Sequence, residues 1–498
     1  MKSRNLLLGY NLRMIAKQNA ENTTILPNKE QNASLHYHVH NDTNLLDVKD
    51  NTLLDVKDNT LLDVKDNTLL DVKDNTLLDV KDNTLLDVKD NTVHNDTTVN
   101  NNAVSVPSNG ITPANLTIAY GLSTITKSTV NPTIVIVDAF CTPTIASDLN
   151  VFSQSYRLPL MNVPNQPVNQ SLGTLKIYYQ QPNGTYGLVN TNNNVVVNTD
   201  WGVEIAMDVQ YAHAVAPYAD IALILTKDDT LASMYSGITF GNTLSNVVSM
   251  SMSWGLPERY AFSTSISRFS TQDNLLFNKP NILYCASTGD DGAAAGVIYP
   301  STSPNVCGVG GSSLQMNSLN QMVTPVKETG WSGSGGGKSN IFSSGVSQSN
   351  YMTTNKLTSK FGTKHAVPDM CLLANPSVCI YNTSPPTGTT SGWGFNSKGV
   401  PALYGGTSLA SPMFAAMVAL IIQKKYPQQN WTTLNLNIRK MIMDSIYVST
   451  NDRDITSGNN GFGASTGFDF VTGIGSPLFN NLSQYIITNF TKLTGLRA

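Results

Sequence analysis

Four apolar runs, at 133–137, 219–225, 247–252 and 282–286, are rich in Val, Ile and Leu and show no alternation of polar with apolar residues. A strand with one wet face alternates and a strand covered on both faces does not, so these runs predict interior strands of a helix-covered sheet. Helical patterns fall between several of them, the order expected of βαβ units. The expected fold class is therefore α/β, a parallel sheet flanked by helices, with its functional site at the carboxyl ends of the strands.

That texture begins only near residue 105. Before it, six uninterrupted copies of the octapeptide Leu-Leu-Asp-Val-Lys-Asp-Asn-Thr fill 45–92, bracketed by His-Asn-Asp-Thr at His40 and again at His94. Eight residues advance an α-helix by about 80° beyond two full turns, so the apolar positions would spiral around a helix and never form one face. An even repeat would keep register as stacked strands, yet each rung carries little apolar surface against its charges. The composition predicts a low-complexity, disordered tail over 1–104 preceding a single domain over 105–498, with a small solenoid as the alternative. The run His36, Tyr37, His38, Val39, His40 puts three imidazoles on one strand face, a pattern able to bind a transition metal, although the surrounding Asn-rich sequence supplies no rigid support for one.

A formal charge of −3 over 498 residues favours neither nucleic acid nor an anionic membrane as a partner, since both normally call for a clustered basic surface. No apolar run is expected to span a bilayer, and Leu6, Leu7 and Leu8 are followed too soon by Asn11 and Arg13 for a signal-peptide core. The five cysteines, Cys141, Cys285, Cys307, Cys371 and Cys379, are too few and too irregular for a disulfide scaffold or a zinc ribbon.

Chemistry concentrates in three segments. Gly405-Gly406-Thr407-Ser408-Leu409-Ala410-Ser411-Pro412 precedes an unbroken apolar stretch at 413–422, a tight turn feeding a buried helix. A hydroxyl at such a helix mouth lies beside unpaired backbone N–H groups and the positive end of the dipole, where an oxyanion is stabilised. Ser408 is thus a candidate nucleophile, and a serine needs a base. None of the six histidines stands in a His-Gly-Thr-His context, and His213, within a mostly apolar helix, reads as a structural residue. The same helical segment, 201–217, instead carries Glu204 and Asp208 four residues apart among Val, Ile, Ala and Met. Two carboxyls on one face of a buried helix share a proton, so Glu204 can accept the Ser408 proton while Asp208 orients it. In the third segment, Ser287-Thr288-Gly289-Asp290-Asp291-Gly292, two glycines turn Asp290 back over a strand end. As a carboxylate Asp290 would repel a tetrahedral oxyanion; protonated, it donates to one.

Gly335-Gly336-Gly337-Lys338-Ser339 imitates the end of a phosphate-binding loop, but Ser332 stands where that motif needs its first glycine. Further on, Asp454 and Asp469 flank Gly-rich loops whose carboxylates and carbonyls suit a hard cation.

Taken in chain order over 111–485, these segments resemble the sedolisin, or serine-carboxyl peptidase, family. The likeness also rests on Thr112-Pro113-Ala114-Asn115-Leu116, Ile136-Val137-Asp138-Ala139 and Ser253-Trp254-Gly255. It implies a subtilisin-like fold and acid-acting endopeptidase chemistry, with Ser408 as nucleophile, Glu204 as base, Asp208 as its partner and Asp290 as oxyanion donor. Ser253, Trp254 and Gly255 would bind the substrate by strand addition. One Ca²⁺ is implied on the carboxylates of Asp454 and Asp469 and the carbonyls of Ile455, Ser465 and Gly467. The implied setting is extracellular or an acidic compartment, with polypeptide substrates and a monomeric chain. Residues 1–104 do not resemble the family's long folded prosegment. Rival readings are a His-dependent subtilase, a catalytically inactive surface or binding protein, and tripeptidyl-peptidase action.

Overall fold

The computed structural model describes Pro107 and residues 110–496, apart from 190–195, 262–265, 318–320, 396–399 and 449, together with the repeat strands between 45 and 88. The chain divides into two compact units, the repeats within His38–Val104 and the remainder chiefly within Ser105–Ala498.

In the repeat unit, strands occupy Leu45–Lys49, Leu53–Lys57, Leu61–Lys65, Leu69–Lys73, Leu77–Lys81 and Leu85–Val88. Every second copy supplies the next strand of the same parallel ladder: Leu45 pairs with Leu61 and Leu61 with Leu77, while Leu53 pairs with Leu69 and Leu69 with Leu85. An even repeat keeps identical backbone groups opposite one another along each ladder. The run of three histidines and the second His-Asn-Asp-Thr lie outside the described residues.

The larger unit is built on a nine-stranded sheet, in the order Glu328–Gly330, Val306–Leu314, Leu283–Ser287, Val247–Met252, Thr133–Ala139, Asp220–Thr226, Leu175–Gln180, Tyr186–Leu188, with Met370–Asn375 also pairing with Val306–Leu314. Pairing is parallel except at Glu328–Gly330 and Tyr186–Leu188. The four apolar runs form adjacent central strands and are buried along almost their whole length, as unbroken hydrophobicity requires.

The two faces of this sheet carry different helices. Val135 and Val137 lie against Gly241 and Gly237 of the Leu231–Gly241 helix. With a side-chain period of two, Ile134, Ile136 and Asp138 point to the opposite face. There Ser249 and Ser251, register partners of Ile134 and Ile136, hydrogen-bond the Thr407–Lys425 helix, at the Ala415 carbonyl (2.7 Å) and the Ser411 hydroxyl (2.9 Å). The Thr199–Val215 helix packs beside the Thr407–Lys425 helix and against the Thr133–Ala139 strand. Among the described residues only Thr407–Lys425 is long and apolar enough to cross a bilayer, and it is a core helix, 94% buried within the protein. The five cysteines are buried and unbridged.

Candidate active site

Ser408 occupies the second position of the Thr407–Lys425 helix, after a Gly406 whose φ of +101° makes the turn. Pro412 lies further inside the helix than its first turn. Lacking an N–H, it leaves the Ser408 carbonyl without its intrahelical donor. The Ser253 hydroxyl takes that role, donating to the Ser408 oxygen at 3.1 Å. Ser253 and Trp254 are fully buried, and the Trp254 indole N–H donates to the Val137 carbonyl at 2.8 Å. Their side chains therefore brace the site from within, and only the backbone of this segment is left for a peptide.

Glu204 and Asp208 project from the Thr199–Val215 helix, which begins at Asn198, whose side chain caps the N–H groups of Asp200 and Trp201. From Trp201 to Val215 every residue of this helix is buried, so both carboxyls sit in low dielectric, which favours their neutral forms. Glu204 is raised well above its ordinary value by burial first, then by the charge of Asp138, and is lowered by the Ser408 hydroxyl that faces it. Asp208 is likewise raised by burial, by Asp138 and by Glu204, with Ser253 opposing. Neither the Ser408 hydroxyl nor either Asp208 oxygen makes a closed hydrogen bond. Such looseness is usual before a substrate tightens a site.

Asp290 follows the Leu283–Ser287 strand. Its Oδ1 accepts from the Thr407 N–H and the Thr407 hydroxyl, both at 2.8 Å, while the buried Oδ2 has no partner. Burial pushes this carboxyl up to about 6 against the two Thr407 bonds that lower it. Gly406 is required beside it, because a Cβ there would lie 2.5 Å from Oδ2. The Gly-rich stretch that imitates a phosphate loop packs against this turn: the Gly335 N–H donates to the Gly289 carbonyl at 2.8 Å, and a Cβ on Gly335 would stand 1.9 Å from the Thr288 carbonyl.

Sequence reading assigned no role to Asp138, near the end of the Thr133–Ala139 strand, although it completes the cluster. It is wholly buried with neither carboxyl oxygen hydrogen-bonded, and burial pushes it up to about 8. The available signal was a lone acid interrupting an apolar run. His213 is structural: its Nε2 meets the Pro159 carbonyl at 2.8 Å, and burial pushes it down to about 4. His365 is buried 3.7 Å from Asp369.

Elsewhere, the 465–469 loop folds around two carboxylates. The Gly467 N–H donates to both oxygens of Asp454 (3.2 and 3.1 Å) and the Ser465 N–H to Asp469 Oδ2 (2.8 Å). Asp469 is raised by burial, with the Ser465, Thr472 and Val471 N–H groups opposing. Among the described residues no group of three or more His, Cys, Asp or Glu is gathered for a metal, so a cation here would have to complete its shell with carbonyls.

A parallel sheet with a serine at the mouth of a buried core helix defines a subtilisin-like architecture. The subtilase family pattern matches residues 187–475, and the chain belongs to that family. Among characterised relatives, it is similar to kumamolisin of Bacillus sp. strain MN-32, 28% identical over 307 residues, 58% of this chain and 51% of the relative. It is also similar to sedolisin of Pseudomonas sp. strain 101, 26% identical over 296 residues, 54% of this chain and 46% of the relative. The chain thus spans about half the length of these curated relatives. The solved structure of Pseudomonas sedolisin, a serine-carboxyl proteinase complexed with two molecules of pseudo-iodotyrostatin, shares the fold with a TM-score of 0.56 at 20% identity, covering 76% of this chain and 98% of that one.

Proposed function

We propose that this subtilase-family chain is a serine-carboxyl endopeptidase that cleaves polypeptides in acid, with Ser408 as nucleophile. The observation that carries this reading is that the buried Glu204 carboxyl faces the Ser408 hydroxyl, while the two histidines among the described residues lie against Pro159 and Asp369. Ser408 Oγ attacks the scissile carbonyl as Glu204 takes its proton, and Asp208 steadies Glu204 by sharing the charge. The developing oxyanion accepts from protonated Asp290, whose free Oδ2 is the available donor. Glu204 then returns the proton to the leaving amine, and water hydrolyses the acyl-enzyme by the same path in reverse. The chemistry needs Glu204 ionised while Asp290 is neutral, which restricts it to acid and suits an extracellular or acidic setting.

The loop of Asp454, Ile455, Ser465, Gly467 and Asp469 fits one Ca²⁺. Two carboxylates already converge on it, and among the described residues no Lys or Arg pairs with either. The carbonyls of Ile455, Ser465 and Gly467 supply the neutral oxygens a hard cation takes. Bound there, the ion would tie the 454–469 loops together.

Digestion of an unfolded protein at about pH 4 and about pH 7 tests the proposal, with wild type beside Ser408→Ala and Glu204→Gln. Cleavage at the lower pH that both substitutions abolish is expected. Activity that survives in Ser408→Ala, or persists undiminished at neutral pH, removes the reading.

A further inference from the structure

The ladders of the repeat unit are made of backbone that the same sequence can extend. Each holds three parallel strands, Leu45–Lys49, Leu61–Lys65 and Leu77–Lys81 in one and Leu53–Lys57, Leu69–Lys73 and Leu85–Val88 in the other. Every residue pairs with the identical residue two octapeptides on: Leu45 with Leu61 and Leu61 with Leu77, Leu53 with Leu69 and Leu69 with Leu85. Among the described residues no strand pairs with the outer side of the first or the last strand of either ladder. Such an edge is a row of unpaired N–H and C=O groups, a template for a further strand. Proline and bulges are common protections of an edge, and these strands contain neither. Charge is the protection they do carry, because the register sets Asp opposite Asp and Lys opposite Lys, which opposes pairing. That same cost is already met at each rung within the unit.

We infer that a second copy of this chain docks on the end of the ladders, its Leu45–Lys49 strand following Leu77–Lys81 and its Leu53–Lys57 strand following Leu85–Val88. The register across that joint is the register already present inside each unit, so the incoming copy meets the sequence it pairs with in its own ladders. A partner of any other sequence would have no such reason to fit. The two ends of a parallel ladder differ, one being the first strand and the other the last, so each joint uses one end of each kind. Contact of that sort is head to tail and does not close on itself, and it leads to linear assemblies of growing length. The family likeness implies a monomeric peptidase; the association inferred here runs through the repeats alone and does not depend on the peptidase reading.

Light scattering of the full chain carrying Ser408→Ala, which avoids self-digestion, tests this. From about 1 to about 100 µM at neutral pH the mean mass should rise at least about twofold, and further with added salt, since salt screens the like charges that the register sets opposite one another. Joints between oppositely charged surfaces would respond to salt in the opposite sense. Val48→Pro together with Val56→Pro places a proline in the first strand of both ladders and should abolish the rise. Because this variant keeps its other end, a minor fraction of it mixed with the unsubstituted chain should shorten the assemblies. Hydrogen exchange gives a reading that needs no variant: backbone amides of Leu45–Lys49 and Leu77–Lys81 should gain protection as concentration increases. A mass constant over that range, an association that salt dissolves or that the proline pair leaves intact, or end strands whose exchange ignores concentration, each overturns the inference. Should the proline pair unfold the repeat unit, the salt response and the exchange data still decide.

Discussion

Asp290 holds Thr407, the residue before Ser408, by a single oxygen, accepting its N–H and hydroxyl at 2.8 Å each, and keeps the other oxygen buried without a partner. That asymmetry lets one carboxyl be anchored and still donate.

Asp290→Ala should therefore lower kcat by about 10²–10³-fold, some 3–4 kcal/mol of barrier, with a small effect on KM. Because Asp290 is pushed up to about 6, it is a donor below that pH and loses the ability above it, so the upper limb of the activity bell should fall near pH 6. Asp290→Asn keeps an amide donor and should lose that limb while retaining partial activity. A wild-type limb unchanged in Asp290→Asn, read from kcat/KM across pH, would contradict the assignment.

The Ser253 hydroxyl replaces the N–H that Pro412 lacks, so the two should be energetically linked. Ser253→Ala leaves the Ser408 carbonyl without that donor and should cost about 1–3 kcal/mol. In a Pro412→Ala background, where the backbone donor returns, the same substitution should cost less. Denaturant unfolding of the four proteins in this cycle measures the difference, and additive costs would remove the link.

Stability should decline as pH rises. The folded values of Asp138 (about 8) and Asp290 (about 6) lie above the ordinary carboxyl range near 4, so folding binds protons. Their contribution is complete below about pH 4 and is lost as pH climbs through 6 and then 8. Glu204 and Asp208, raised in the same direction, add to it. Melting of Ser408→Ala, which avoids self-digestion, should give a Tm falling from pH 4 to pH 8; a rise over that interval would show that burial is not what tunes these groups.

Calcium removal should destabilise the protein if the 454–469 loops hold the ion. A chelator should lower Tm by several degrees, consistent with roughly 2–3 kcal/mol of linked binding at saturating ion. Asp469→Ala should lower Tm to a similar extent and abolish the response to added calcium. A wild type indifferent to both chelator and calcium has no such site.

The spacing of Glu204 and Asp208 within an apolar helix, and the small-residue turn before Ser408, were legible because each is local: one helix, one turn. The four central strands were legible for the same reason, since unbroken burial leaves its mark residue by residue. Their order was not, because which strands adjoin depends on crossovers that no single segment encodes. Asp138 escaped notice since its partners come from a helix far along the chain, and a single acid near a strand end reads as the strand's limit. Ser253 and Trp254 were expected in the cleft, and the family likeness says nothing of which way those side chains turn; the missing N–H of Pro412 and the Val137 carbonyl account for their burial.

The ladders of the repeat unit join every second octapeptide, so the number of copies has a parity. Gain or loss of two copies lengthens or shortens both sheets equally and leaves the stack finished in the same way at each end. Gain or loss of one leaves the two sheets unequal by one strand. Length variants of this tail should therefore differ between odd and even numbers of copies in whether the two sheets match, even though the added sequence is always the same.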